Sequence, residues 1–221
     1  TQFTIGPSAM RWDNGSLVID INEITVPVPR ALRGQVRLTP AAICGHRVAL
    51  DSAGQHSWRP VAPLARVEAR FDAPRLSWSG MGYHDMNWGA VPLEQSFRSW
   101  TWSRAAAAHG AYITYDTLLR DGSSSAFALL VDGRGGAIVL PPPPPADLGT
   151  TFWRMERHTR AEGPVSVLAT LEDSPFYTRS LLKTAVRGEA AMTFHESLSL
   201  DRFVNPVVQL MLPFRMPRRA W

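Results

Sequence analysis

Eighteen prolines are spread along 221 residues, and they constrain the fold more than any other feature. Proline fixes one backbone dihedral and lacks an N–H, so it breaks helix interiors and is tolerated in strands only at edges, ends or bulges. This density argues against a helical bundle and for strands joined by stiff turns. The hydrophobic pattern agrees. "SLVIDINEITV" (16–26) alternates apolar and polar residues with period two, and "QVRLT", "ARVEARFD" and "FRSWTWSRA" (97–105) do so more briefly. "AYITYDTLLR", "DGSS" and "SAFALLVDG" predict a hairpin turning near Asp121-Gly122. Further strands are expected at 151–156, 165–171, 177–187 and 191–200. "DSPFYTRSLLK" offers one turn of helix, and "PPPPP" (141–145) a polyproline connection. Strands at this spacing predict a mostly β chain, a barrel or sandwich, with a boundary near residue 78, where "DAPRLSWSG" runs into a glycine-rich motif.

Composition removes several function classes. Hydrophobic residues make up 45%, enough to bury a core. One cysteine, Cys44, excludes an internal disulfide and a cysteine zinc cluster, fits a reducing compartment, and reads as a buried thiol. The net charge of +4 is a mild excess, and nucleic-acid binding requires a dense basic face. The notable basic cluster is "RMPRRAW" (215–221), either a solvated tail or a foot on an anionic membrane. The apolar run from Val207 to Phe214 is too short to cross a bilayer. Of the six histidines, His46, His56, His84, His109, His158 and His195, no two have metal-ligand spacing on one element. P-loop, dinucleotide and nucleophile-elbow signatures are missing from the sequence.

"GMGYHDMNWG" (80–89) concentrates functional side chains. Its glycines permit positive φ or close backbone approach. On an extended segment Tyr83, Asp85 and Asn87 share one face, with His84, Met86 and Trp88 on the other. That row is either a β-bulge satisfying local backbone groups or a hydrogen-bonded functional cluster. In "GQHSWRP", His56 and Trp58 share a face in the same way.

The segments "GPSAMRWDNGSLVIDINEITVPVP", "HSWRPVAPLARVE", "GYHDMNWG", "LEDSPFYTRSLL" and "HESLSLDRF", then "PVVQLMLPFRMPR", occur in order from near residue 3 to near 218. With them the chain resembles the carotenoid 1,2-hydratase (hydroxyneurosporene synthase) family of photosynthetic bacteria. The resemblance implies lipocalin-like antiparallel β-barrels, with residues 1–78 closing a first barrel and 79–221 forming a second. It implies the C-terminal part of a longer protein, in keeping with Thr1 at the start. The implied enzyme is a hydro-lyase, adding water to the terminal C1=C2 bond of acyclic carotenoids such as neurosporene or lycopene, without cofactor or metal.

Such an alkene is a very weak base, so the reaction needs a well-placed acid, stabilisation of a tertiary cation, and a positioned water. Asp85 is the expected acid, protonated in an apolar pocket. Trp58 and Tyr83 are expected to face the cation, and His56 to relieve water of its proton. Trp88, Asn87, Trp100 and Trp102 are expected to contact substrate, the last two along a polyene channel. A bilayer-resident substrate implies peripheral association with the cytoplasmic face of the inner, photosynthetic membrane and no nucleic-acid partner. A non-catalytic lipocalin-type carrier, and a related cyclase or pericyclase, are the alternatives.

Overall fold

The computed structural model describes residues 2–26, 28–107 and 110–212. The basic segment 215–221, residues 213–214 of the apolar run and His109 lie outside them. The first half forms strands β1 (Gln2–Ile5), β2 (Ser8–Asp13), β3 (Ser16–Ile24), β4 (Ala31–Pro40), β5 (Val48–Ala49), β6 (His56–Ala73) and β7 (Arg75–Gly89). They make one antiparallel sheet in which β6 pairs with β4, β5 and β7. After a short helix α1 (Leu93–Ser96) come β8 (Phe97–Ala107), β9 (Gly110–Leu119), β10 (Ser124–Val131) and β11 (Ala137–Leu140). A two-stranded pair, β12 (Pro145–Thr150) and β13 (Glu156–Arg160), precedes β14 (Ser166–Asp173), β15 (Tyr177–Val186) and β16 (Glu189–Ser199). The second seven-stranded sheet runs β11-β10-β9-β8-β16-β15-β14. Two short helices, α2 (Leu200–Phe203) and α3 (Pro206–Met211), follow. This is the mostly β, antiparallel fold expected of the alternating pattern, of the lipocalin-like class that the family resemblance implies.

The β9–β10 hairpin turns where expected. Gly122 sits at φ +86°, and the Asp121 carboxylate accepts from the Ser123 N–H. Three local expectations change. Residue 78 is no boundary, because β7 runs through it as part of the first sheet, opposite Ala69 of β6. Residues 151–155 form a turn, with the strand beginning at Glu156. "DSPFY" holds no helical turn: Ser174 donates from its N–H and its hydroxyl to the Tyr177 carbonyl, closing the β14–β15 hairpin.

The two sheets meet in one apolar cluster. Cys44, Leu50 and Trp58 of the first half pack with Phe97, Trp102, Ile113, Tyr115, Leu129 and Val131 of the second. Alternation along β8 sends the neighbouring side chains to the opposite face, which is polar. Ser103 hydrogen-bonds Thr159 of β13 at 2.8 Å, Arg157 donates to Ser180, and Thr178, Ser180 and His195 are fully buried.

His195 carries a pH consequence. Its Nε2–H donates to the His158 carbonyl at 2.8 Å, and Nδ1 is buried with no partner among the described residues. Burial pushes the ring from 6.5 down to about 4, against the opposing effect of that hydrogen bond. The unfolded ring therefore takes up a proton that the folded one refuses, so stability is full above pH 6.5 and declines as the pH falls toward 4. Between pH 7 and 5 this group should cost about 2 kcal/mol. Urea unfolding at the two pH values should show His195→Gln losing that much less than wild type. Equal losses would mean that His195 titrates normally in the fold.

Candidate active site

Two prolines shape the strand beneath the site. In "HSWRPVAPLAR" Pro60 and Pro63 cannot donate to a ladder, and the β6–β7 register slips on either side of Ala62. Arg59 lies opposite Met86, Ala62 opposite His84, and Ala65 opposite Gly82, so β6 spends an extra residue at each step. These bulges aim Tyr83 and Asp85 of β7 at Trp58. The glycines serve by close approach. A Cβ at Gly82 would lie 2.2 Å from a Val67 methyl, and one at Gly89 2.3 Å from Cδ2 of His56.

Asp85 is the centre of the cluster. The Trp58 indole N–H donates to its Oδ2 at 2.7 Å, and the Tyr83 hydroxyl donates to the same oxygen at 2.9 Å. Among the described residues no hydrogen bond reaches Oδ1. Burial, then the charge of Asp85 beside it, drives the Tyr83 phenol well above its ordinary value, so it remains a neutral donor. The enclosing wall is aromatic. Trp58 meets Tyr115 at 5.5 Å and Phe127 at 5.8 Å between ring centroids, and Tyr83 meets Trp102 at 5.0 Å. The Arg104 guanidinium lies 5.4 Å from the Tyr83 ring centre and donates twice to the Pro63 carbonyl. Burial lowers its pKa, with Tyr83 opposing.

His56 is buried and engaged at both ring nitrogens. Nδ1 is 3.1 Å from Asp51 Oδ2 and Nε2 is 3.0 Å from the Val91 carbonyl oxygen. Both neighbours accept, so neither nitrogen is left open to take a proton from water. Burial pushes the Asp51 carboxyl up, but hydrogen bonds from the Gln55 and His56 backbone and from the His56 ring outweigh it and hold it below the usual carboxylate range. The geometry thus ties His56 to Asp51 and Val91 in buried hydrogen-bonding contacts that join the chain on both sides of the site.

The model of the family described as "Carotenoid hydratase CrtC" matches residues 1–221. The chain belongs to the carotenoid hydratase family. It is 50% identical over 217 residues to the acyclic carotenoid 1,2-hydratase of Thiocapsa roseopersicina, covering 97% of this chain but 54% of that protein. It is 41% identical over 220 residues to the protein of the same name from Cereibacter sphaeroides, covering 98% of this chain and 78% of that one. The chain therefore spans only about half the length of the Thiocapsa relative. Among solved structures, an AttH-like protein of Nitrosomonas europaea matches at TM-score 0.61 and 14% identity, over 90% of this chain and 70% of that one, a likeness of fold.

Within this chain the other expected residues divide. Trp102 joins the acid cluster through Tyr83. Trp100 stands further off, packing on Phe97 and Tyr115 and lining a cleft of about 330 Å³ that also touches Thr101, His158 and Ser197. Trp88 lies under the Arg47 guanidinium at 4.9 Å, away from Asp85, and Asn87 is exposed without a side-chain hydrogen bond among the described residues. His84 faces Trp12 on the opposite side, its pKa lowered by burial against the pull of Asp85. The sequence reading missed Arg104, Tyr115, Phe127 and Asp51. Arg104 was within reach, since it shares the face of Trp100 and Trp102 along β8. Tyr115 follows only from the register that sets it opposite Trp102. Among the described residues no group of three or more His, Cys, Asp or Glu side chains is placed to hold a metal ion.

Proposed function

We propose that this chain carries the acid site for hydrating the terminal double bond of acyclic carotenoids, as a hydro-lyase needing no cofactor. The observation that carries the reading is the pair of donors on Asp85 Oδ2 inside an aromatic wall. With Oδ2 occupied, a proton on Asp85 sits on Oδ1. Its transfer to C2 of the alkene leaves a carboxylate on which the Trp58 and Tyr83 donors already converge. The tertiary cation then left at C1 faces the rings of Trp58, Tyr83 and Trp102. Each desolvated ring contributes roughly 0.5–2 kcal/mol to a cation. Together the rings supply only part of the barrier lowering, and placement of the proton supplies much of the rest. Water closes the reaction. With His56 bound to Asp51 and Val91, the Asp85 carboxylate takes back the surplus proton.

The hydrocarbon is expected to lie against the aromatic face of β8 and β9, because the opposite face is lined by hydroxyls, Arg157 and His195. Docking on a membrane would bring it there. No helix among the described residues is long and apolar enough to cross one, but α3 exposes Val207 and Leu210, an apolar foot suited to a lipid surface. The test is incubation with lycopene in detergent and in liposomes, followed by chromatography and mass analysis. A product one water heavier is expected. Unchanged lycopene in both media would refute the reading for this chain.

A further inference from the structure

Trp102 is 8% exposed, and its indole nitrogen is buried with no hydrogen-bond partner among the described residues. Indole offers a single polar atom, which can only donate. Trp58 and Tyr83 donate to Asp85, and Arg104 donates to the Pro63 carbonyl. An unpaired buried donor costs roughly 1–3 kcal/mol, and phenylalanine would keep a ring there without that cost. The orphan N–H belongs to the ring packed 5.0 Å from Tyr83, whose hydroxyl holds the acid. Its partner must bring a lone pair, and an acyclic hydrocarbon has none. In the hydration proposed above, on which this inference rests, the reactant with lone pairs is water, whose oxygen becomes the alcohol.

We propose that Trp102 Nε1–H binds the oxygen of the reacting water and then of the tertiary alcohol, and so decides between capture of the cation and its reversion. The Asp85 O–H bond breaks and the alkene π pair takes its proton, forming C2–H and leaving C1 cationic. A lone pair of the Trp102-bound water forms the C1–O bond. One proton of the resulting oxonium returns to the Asp85 carboxylate, so alkene plus water becomes alcohol and the acid is restored. Without a held water, the cation instead loses a carbon-bound proton to the same carboxylate and reverts to alkene. In D₂O that reversal leaves deuterium in unhydrated carotenoid.

The experiment compares wild type with Trp102→Phe on lycopene in D₂O, measuring both alcohol formed and deuterium in the recovered hydrocarbon. The variant should hydrate at least tenfold more slowly while exchange persists, so the ratio of hydration to exchange falls about tenfold or more. A ratio equal to wild type, even with both rates reduced, overturns the proposal and leaves Trp102 a packing residue. Wild type showing neither hydration nor exchange would instead remove the underlying hydratase reading, and this inference with it. A high-resolution crystal structure of the wild type is a second readout that needs no variant to fold. An ordered water at about 3 Å from Trp102 Nε1 is expected, and a dry indole nitrogen overturns the assignment.

Discussion

Asp85→Asn should lower carotenoid hydration by roughly a thousandfold or more, within the range general acids supply, and leave the fold in place. The amide is nearly isosteric with the carboxyl group. Its oxygen can accept from Trp58 and Tyr83 as Asp85 Oδ2 does now, at 2.7 and 2.9 Å. Its nitrogen then occupies the position of Oδ1, to which no described residue donates, so no new buried donor is left beside a competing one. What disappears is the transferable proton. Neither Tyr83 nor Tyr115 can replace it, because both are pushed upward, by burial first and then by the neighbouring Asp85 charge. Turnover and carotenoid binding should therefore separate, with pigment still co-purifying with a protein that no longer hydrates it. A carrier would bind equally well with either residue and turn over with neither. Hydration by the variant at a tenth of the wild-type rate would rule out Asp85 as the acid.

Asp85 and Trp58 were legible in the sequence because each depends on local alternation, which survives being read one strand at a time. Tyr83 and Asp85 share a face at spacing two, and so do His56 and Trp58. The family likeness then set the two strands side by side. Alternation stopped short at Asn87, two residues further on. There β7 runs past the end of the aromatic wall, and the same face turns to solvent. The boundary near residue 78 was misplaced for a related reason. Glycine and proline signalled a break, but Gly82 and Gly89 accommodate Val67 and His56 within a continuous strand. Pro60 and Pro63 mark bulges in its partner. Composition could not reveal the polar interior of the second sheet. Thr178 and Ser180 flank Arg179, and His195 precedes Glu196, a polar run that reads as solvent-facing, and only β13 crossing over them makes that face an interior.

The role of His56 turned on a residue that no pattern singled out. Asp51 lies five positions before it, beyond strand periodicity, and the loop between them folds back so that the Asp51 carboxylate accepts from the Gln55 and His56 backbone as well as the ring. With the two side chains 4% and 1% exposed, removing either partner leaves a buried polar group unpaired, and such losses cost about 3–5 kcal/mol. Asp51→Ala and His56→Ala should each lower the unfolding free energy, read from urea titrations, by that much. The double variant should be little worse than either single one, so the coupling energy should be nearly as large as one single loss, about 3 kcal/mol or more. Hydration should fall in both singles alike. The ring seats the Val91 carbonyl just past the end of β7, and without it the strand that presents Asp85 to Trp58 loses its anchor. A catalytic base predicts a different result. His56→Ala would then unfold at the wild-type midpoint, turnover alone would be lost, and Asp51→Ala would be far milder. Two equal stability losses that fail to add identify an anchor, and a silent unfolding curve restores the base.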